Sequence, residues 1–173
     1  TMTRVVIVGG GFAGLNAAKR LARRPVELTV IDRENYHLFQ PLLYQVATAA
    51  LSPGDIAQPI RHVLGGRPNV RVLQGDVRSV DLSGRRVELS DGTAIEYDRL
   101  VLATGARHGY YGHPEWEPYA PGLKTLDDAL EVRRIVQRRD DRQLVDRVLD
   151  LGGDPGRLDE ARPAVHDPVP HRH

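Results

Sequence analysis

A glycine-rich loop close to the start of the chain constrains the fold more than any other feature of the sequence. The apolar run RVVIV, residues 4–8, leads into glycines at positions 9, 10, 11 and 14. A helical repeat of apolar residues follows over 12–23, and Pro25 ends it before the run VELTVID, residues 26–32, predicts a second strand. Strand, glycine turn, helix and strand in this order form a βαβ unit, which predicts a parallel sheet.

The glycine spacing matches Gly-x-Gly-x-x-Gly, and its position between a strand and a helix predicts a dinucleotide site. Gly9 permits the tight turn, Gly11 lets the backbone approach a pyrophosphate, and Gly14 lets the helix lie close to the sheet. The first helical residues, Phe12 and Ala13, belong to a helix N-terminus that offers N–H groups and a positive dipole to phosphate.

A single carboxylate, Asp32, ends the second predicted strand at about the ~20-residue distance from the loop that is typical of dinucleotide sites. It can accept hydrogen bonds from both hydroxyls of an adenosine ribose. FAD and NAD share this pattern, so the residues leave both open. NADP is disfavoured because Asp32 would repel a 2′-phosphate, although Arg33 beside it is a counterweight.

The rest of the chain adds two helices and a group of strands to the prediction. Ser52 and Pro53 begin a predicted helix over 52–64 that Pro59 should kink or divide. Alternating apolar and polar residues over 70–103, with turns at 83–84 and 91–92, predict an antiparallel meander that feeds a final buried strand, RLVLAT. The run TLDDALEVRRIV predicts a further helix.

Composition excludes several functional classes. The formal net charge is +1, which gives no field for nucleic acid, and there is no cysteine for disulfides, thiolate metal sites or thiol nucleophiles. No apolar run is long enough to span a bilayer and no signal peptide is present, so we expect a cytoplasmic protein with at most peripheral membrane association. His166, His171 and His173 end a proline-rich tail, and we predict no metal site.

Three longer stretches carry a resemblance to a known family. The sequence NYHLFQPLLYQVATAALSPGDIAQPIRHVL (35–64), the sequence YDRLVLATGA (97–106) and the sequence YYGHPEWEPYAPGLKTLDDALEVRR (110–134) together resemble type II NADH dehydrogenases. These are FAD-dependent NADH:quinone oxidoreductases of the two-dinucleotide-binding-domain flavoproteins, in which hydride passes from NADH to FAD and two electrons then pass to a quinone. The resemblance therefore implies FAD as cofactor, and NADH and a quinone as partners.

The resemblance also implies where FAD lies. The pyrophosphate would lie on residues 9–14 and the adenosine ribose on Asp32, with no catalytic residue assigned. The remaining implied contacts are the main chain at Asp76 and Val77 against adenine, Gln40 and Pro41 near the isoalloxazine, and Ala103, Thr104 and Gly105 beside the cofactor. From the residues alone, the aromatic side chains of this region, Tyr36, Phe39 and Tyr44, are better explained by core packing than by a cofactor site.

The implied fold is an α/β, Rossmann-like FAD-binding βαβ domain with a parallel sheet and a small antiparallel β-meander. We expect it to occupy residues 1–134 and to be incomplete, because no second glycine fingerprint follows and the NAD-binding domain is therefore absent. Residues 135–173 do not match the family and predict a poorly ordered tail, which a truncated gene read out of frame would explain. In the full-length family, association with the inner face of the cytoplasmic membrane would come from the missing region.

Two alternatives remain open on the sequence. One is another FAD-dependent NAD(P)H oxidoreductase of the same superfamily, such as a sulfide:quinone or ferredoxin reductase; the absence of cysteine disfavours the first. The other is a non-catalytic dinucleotide-binding domain, which would hold a cofactor without turnover.

Overall fold

The computed structural model describes residues 2–150, with side chains described through residue 143. Within that range the strands are β1 (Thr3–Val8), β2 (Val26–Asp32), β3 (Tyr36–Leu38), β4 (Ala57–Pro59), β5 (Val70–Gln74), β6 (Val77–Asp81), β7 (Arg86–Leu89), β8 (Ala94–Glu96) and β9 (Arg99–Leu102). The helices are α1 (Phe12–Leu21), α2 (Leu43–Ala47), α3 (Pro53–Ile56), α4 (Ile60–Val63) and α5 (Leu126–Asp150), with short 3₁₀ helices at Gln40–Leu42 and Pro114–Trp116. The predicted α/β class is confirmed.

Four parallel strands form the main sheet, in the order β5-β2-β1-β9. Val5 pairs with Leu28 on one side and with Arg99 on the other, so β1 lies inside the sheet. The continuous apolar runs of β1 and β2 follow from this position, because a parallel strand inside a covered sheet meets apolar neighbours on both faces. The βαβ unit and the parallel sheet are confirmed.

Alternate residues of β1 divide between two cores. Val5 and Ile7 pack with Leu15 and Ala18 of α1 on one face of the sheet. Val6 and Val8 pack on the opposite face against a cluster that includes Val87 of the antiparallel sheet. The main sheet is therefore covered by a helix on one face and by a second sheet on the other.

The second sheet is the predicted meander, with strand order β6-β7-β8 and antiparallel pairing. Both turns fall where the sequence predicts them. In the first, the Asp81 carboxylate accepts the Gly84 N–H at 2.8 Å, and in the second, Asp91 accepts the Thr93 N–H at 2.8 Å. The meander is thus confirmed for residues 77–96.

The ends of the predicted meander region need correction. β5 pairs in parallel with β2 and places Val70 and Val72 against the core beneath α1, so it belongs to the main sheet. Its alternation of apolar and polar residues does not distinguish a parallel edge strand from an antiparallel one. β9 is a strand as predicted and pairs in parallel with β1, but it is not buried: it ends the strand order of the described sheet, and Leu102 is 63% exposed.

The segment 52–64 is not one kinked helix. α3 begins at Pro53 as predicted, with a capping box formed by Ser52 and Asp55. The chain then forms strand β4, which pairs with β3, before the separate helix α4 begins. Pro59 lies in β4 opposite Tyr36. Proline lacks an N–H and is tolerated in a short edge strand, which explains why the helix divides rather than bends.

The chain divides into two compact units, Thr1–Val132 and Arg133–His173. α5 begins where a helix is predicted and continues to Asp150, so the first part of the segment predicted as a poorly ordered tail is helical. Residues 151–173, with the three tail histidines, lie outside the described residues. The features discussed below belong to the first unit.

Asn69 joins the end of α1 to the start of β2 and β5. Its Nδ2 group donates to the carbonyls of Ala22, Arg24 and Val26 at 3.3, 3.4 and 3.1 Å. We expect Asn69→Ala to lower the free energy of unfolding in urea by about 1–2 kcal/mol, because the part-buried carbonyls of Ala22 and Val26 lose a donor. Asn16→Ala is the control, because the Asn16 amide donates only to the exposed Phe12 carbonyl. Alanine also has the better helix propensity, so the free energy of unfolding should change by less than about 0.5 kcal/mol. Equal losses in both variants would contradict this role.

Candidate functional site

The carboxyl ends of the parallel strands meet at one edge of the main sheet, where ligands of open α/β sheets bind. Backbone hydrogen bonds tie the following loops together there. Gly9 donates to the Ile31 carbonyl at 2.8 Å, Gly75 donates to the Asp32 carbonyl at 2.9 Å, and Ala103 donates to the Val8 carbonyl at 2.8 Å. The glycine loop, Asp32, the 75–77 turn and the segment after β9 therefore form one surface.

Three glycines of the loop meet three different physical demands. Gly9 has a φ of +106°, and a Cβ there would overlap the Ala103 carbonyl. A Cβ on Gly14 would overlap the Gly9 carbonyl, so only glycine lets α1 lie this close to the loop. A Cβ on Gly11 would meet nothing within 4 Å. Gly11 therefore faces open space, which a pyrophosphate needs in order to approach the backbone.

Gly10 is a further closely packed glycine that the fingerprint does not mark. A Cβ at this position would run into the Ile60 side chain and come within 3.1 Å of the Asp32 carboxylate. The Gly10 N–H also donates a hydrogen bond to Asp32 Oδ2. The signal available in the sequence was the unbroken run of three glycines, of which the motif uses the first and third.

Asp32 is held in a fixed orientation. Oδ2 accepts the Gly10 N–H, and Oδ1 accepts the Glu34 N–H at 2.7 Å. Each carboxylate oxygen has a second lone pair, and the side chain is only half-buried, so both oxygens can still accept a hydroxyl from a ligand.

Two cavities open on this surface. The smaller, of about 310 Å³, is lined by Val8, Gly9, Ile31, Asp32, Arg33, Gly75, Asp76, Val77, Thr104, Gly105, Ala106 and Arg107. The larger, of about 870 Å³, extends along the glycine loop to β3 and the start of α5. The cavities share Gly9, Asp32, Arg33, Thr104, Gly105, Ala106 and Arg107. Together they form one elongated cleft with the glycine loop at its centre.

Most of the candidate site residues line this cleft. The candidate residues that line the smaller cavity are Gly9, Asp32, Arg33, Asp76, Val77, Thr104 and Gly105. Those that line only the larger cavity are Gly11, Phe12, Ala13, Gln40 and Ala103. Gly14 is buried behind the loop, and Pro41 is exposed and lines neither cavity. Their contacts with a cofactor stay predictions.

Of the three aromatic residues considered in this region, one lines the cleft. Tyr36 belongs to the wall of the larger cavity, while Phe39 and Tyr44 are 43% and 54% exposed and lie outside it. Burial raises the pKa of the Tyr36 hydroxyl, and the nearby carboxylates raise it further. Tyr36 therefore keeps its proton at neutral pH and can donate a hydrogen bond.

The start of α5 forms a wall of the larger cavity, and the sequence did not predict this role for it. Thr125 and Asp128 form a capping box: Asp128 accepts the Thr125 N–H at 2.8 Å, and Thr125 Oγ1 accepts the Asp128 N–H at 3.1 Å. Burial pushes the pKa of Asp128 upward, but the N–H groups of Lys124 and Thr125 lower it overall. Gln40 Nε2 donates to the Lys124 carbonyl at 3.3 Å and joins this wall to the 3₁₀ helix. The available signal was Thr-x-x-Asp ahead of an apolar run.

The sequence predicts no metal site and no membrane-spanning segment. The part of the chain that the structure describes contains no group of three or more residues able to hold a metal ion. Over the same residues, no helix is both long enough and apolar enough to cross a membrane.

Fold and site together define a Rossmann-like α/β protein with a dinucleotide-sized cleft. Comparison with known proteins agrees with this class: the chain belongs to the pyridine nucleotide-disulphide oxidoreductase family, an oxidoreductase family whose match covers residues 3–153. The match to this broader family continues past Arg134, whereas the expected end of likeness at that residue concerns type II NADH dehydrogenases and stays a prediction.

Individual relatives share the first part of their length with this chain. It is 53% identical over 133 residues to the type II NADH:quinone oxidoreductase NdhA of Mycobacterium tuberculosis, covering 75% of this chain and 28% of that protein. The same organism's Ndh is 52% identical over 133 residues, with 75% and 29% covered. The chain thus spans less than a third of the length of these two relatives.

Solved structures support the fold. The sulfide:quinone oxidoreductase of the hyperthermophilic bacterium Aquifex aeolicus superposes with a TM-score of 0.70 at 27% identity, covering 79% of this chain and 32% of that chain. NDH2 of Plasmodium falciparum in complex with NADH gives a TM-score of 0.69 at 25% identity, covering 77% and 28%.

Proposed function

We propose that this chain forms the FAD-binding portion of an NADH:quinone oxidoreductase. The observation that carries the proposal is the elongated cleft, whose two cavities join at the glycine loop and Asp32. An extended dinucleotide needs a pocket on each side of its pyrophosphate, and this cleft offers both. The names of the two mycobacterial relatives, both NADH:quinone oxidoreductases, support oxidation of NADH by a quinone over other uses of the same fold.

The smaller cavity suits the adenosine half of FAD. Asp32 receives the ribose hydroxyls on its two oriented oxygens. The turn at Asp76 and Val77 brings main-chain groups to the far end of the cavity, where adenine lies. Arg33 is exposed at the rim, where its Nε lies 3.8 Å from Glu34 Oε1 and its other N–H groups suit a polar edge of the nucleotide.

The glycine loop suits the pyrophosphate. Gly11 leaves its backbone open, and Phe12 and Ala13 begin α1 with N–H groups that the helix itself cannot satisfy. The first turn of α1 contains no acidic residue, so no side chain of the helix itself neutralises its positive dipole. These features favour two negatively charged phosphates at this position.

The larger cavity suits the flavin half. When bound, the flavin accepts hydride from NADH and passes two electrons to a quinone, which takes up two protons to become quinol. Gln40 presents an amide to the ring edge, and Ala103 and Thr104 present backbone beside the ring. Pro41 acts only through the 3₁₀ turn that carries Gln40. The neutral Tyr36 hydroxyl adds a donor to the same wall.

The sites for NADH and quinone belong, in this proposal, to the part of such proteins that this chain does not span. The complete protein would work on the inner face of the cytoplasmic membrane through peripheral contact. FAD-loaded chain mixed with NADH and a quinone should therefore show no turnover by itself. Joining it to the remaining length of a mycobacterial relative should restore NADH oxidation.

Competition between cofactors tests the proposal. Titrated into the flavin-free chain and followed by quenching of flavin fluorescence, FAD should bind at least about a hundredfold more tightly than FMN. The reason is that FMN lacks the adenosine half, which Asp32 and the smaller cavity would hold. NADH, followed by its own fluorescence, should compete poorly with FAD.

Two outcomes of the titration would overturn the proposal. Tighter binding of NADH than of FAD would identify a nicotinamide-dinucleotide domain instead. Equal affinity for FMN and FAD would show that the adenosine cavity does not take part.

A further inference from the structure

His37 lies behind the glycine loop rather than in the cleft. It is the central residue of β3, where side chains alternate between two sides. Tyr36 and Leu38 line the larger cavity, whereas the His37 ring packs edge-on against Phe12, with ring centroids 5.0 Å apart. The sequence predicts no role for His37, because a single histidine within an apolar run does not indicate which group it will contact.

The His37 side chain makes one polar contact with the loop. Its Nδ1 lies 3.0 Å from the carbonyl oxygen of Gly10. A carbonyl oxygen can only accept, so Nδ1 must carry the proton and donate it. Gly10 is then held from both sides by side chains, its N–H by Asp32 and its carbonyl by His37.

This contact fixes the direction of the next N–H group. No cis peptide bond occurs among the described residues, and in a trans peptide the carbonyl and the following N–H point in opposite directions. The Gly10 carbonyl points to His37, behind the loop, so the Gly11 N–H points away from His37. Gly11 lines the cleft and is the N-cap of α1, so this N–H has no partner within the helix.

We propose that His37 is a positioning residue that aims the Gly11 N–H at the pyrophosphate of the bound dinucleotide. It touches the loop and not the cofactor, and it acts by preventing the Gly10–Gly11 peptide from rotating. The inference rests on the proposed function, because it needs a pyrophosphate in the cleft. It predicts that affinity depends on a donor at the δ position of residue 37, and not on the aromatic ring.

Two variants separate the donor from the ring. His37→Asn keeps an N–H donor at the δ position without a ring, and His37→Phe keeps a ring against Phe12 without a donor. The dissociation constant for FAD should rise roughly five- to tenfold in His37→Phe and less than about twofold in His37→Asn. Thermal unfolding of each flavin-free variant shows that it is folded.

The ring nitrogens give a second test that needs no cofactor. In ¹⁵N NMR of the flavin-free chain, neutral His37 should be the Nδ1–H tautomer, with its signal assigned from the contact between its ring and the ring of Phe12. The Nε2–H tautomer would overturn the inference even if both variants failed to fold.

The binding results distinguish failure of this inference from failure of the proposed function. Weak binding of His37→Phe with near-normal binding of His37→Asn supports the positioning role. FAD binding by the unchanged chain with the opposite order, or with equal affinities in both variants, overturns the role and leaves the proposed function standing. No FAD binding by the unchanged chain overturns both.

Discussion

Gly11→Asp is expected to abolish FAD binding and leave the fold intact. Gly11 has an extended backbone with a φ of −69° and a ψ of −167°, which any residue adopts, and a Cβ there meets nothing within 4 Å. Aspartate is a preferred N-cap and benefits from the positive end of the helix dipole, so the melting temperature of the flavin-free protein should hold or rise. In the cleft, the same carboxylate would occupy the approach of the pyrophosphate and repel it.

The expected size of this effect is an increase of about a hundredfold or more in the dissociation constant for FAD. Gly11→Asn is the matched variant, because asparagine is an equally good N-cap without the charge. It should weaken binding less than aspartate does, and the difference measures the repulsion. Normal FAD affinity in Gly11→Asp would show that the pyrophosphate does not approach this residue.

Gly14→Ala, unlike Gly11→Asp, is expected to destabilise the fold itself. The added Cβ would overlap the Gly9 carbonyl and lie 3.3 Å from Ile7 Cγ2, so α1 must move away from the loop and from β1. We expect a loss of about 2 kcal/mol in the free energy of unfolding, although alanine has the better helix propensity. FAD affinity should fall as well, because the N–H groups of α1 move with the helix.

Gly54→Ala is the control for the same substitution in another helix. Gly54 lies in α3, and a Cβ there would come no closer than 3.9 Å to Ser52 Oγ. Urea unfolding should show a neutral or slightly stabilising change of up to about 1 kcal/mol. A Gly14→Ala protein as stable as the unchanged chain would mean that α1 does not depend on this close approach.

The sequence predicted most reliably where local chemistry and tertiary packing demand the same residues. Gly9, Gly14 and Asp32 follow from the geometry of a strand-turn-helix unit, and the structure places them as the motif requires. The turns at 84 and 92 rest on Asp81 and Asp91, which bond to backbone N–H groups close by in the chain. In these cases the turn geometry or a partner in a neighbouring element already demands the residue, and the contact of Gly9 with the distant Ala103 carbonyl demands the same one.

Predictions failed where the deciding partner is distant in sequence. β4 forms because β3 lies beside it, and the register of Pro59 with Tyr36 cannot be read from residues 52–64 alone. β5 joins the main sheet because β2 presents a free edge and α1 covers its valines. Gly10 and His37 gain their roles from Asp32, Ile60 and each other, contacts that only the folded chain brings together.

Retention of flavin by the purified chain tests directly whether the cleft at the glycine loop binds FAD. The purified chain is incubated with excess FAD, desalted, and its visible absorption spectrum recorded beside that of Gly11→Asp. We expect a flavin band in proportion to protein for the unchanged chain and none for the variant, with both proteins folded by circular dichroism. A folded but colourless unchanged chain would contradict the account and leave the glycine loop without its cofactor.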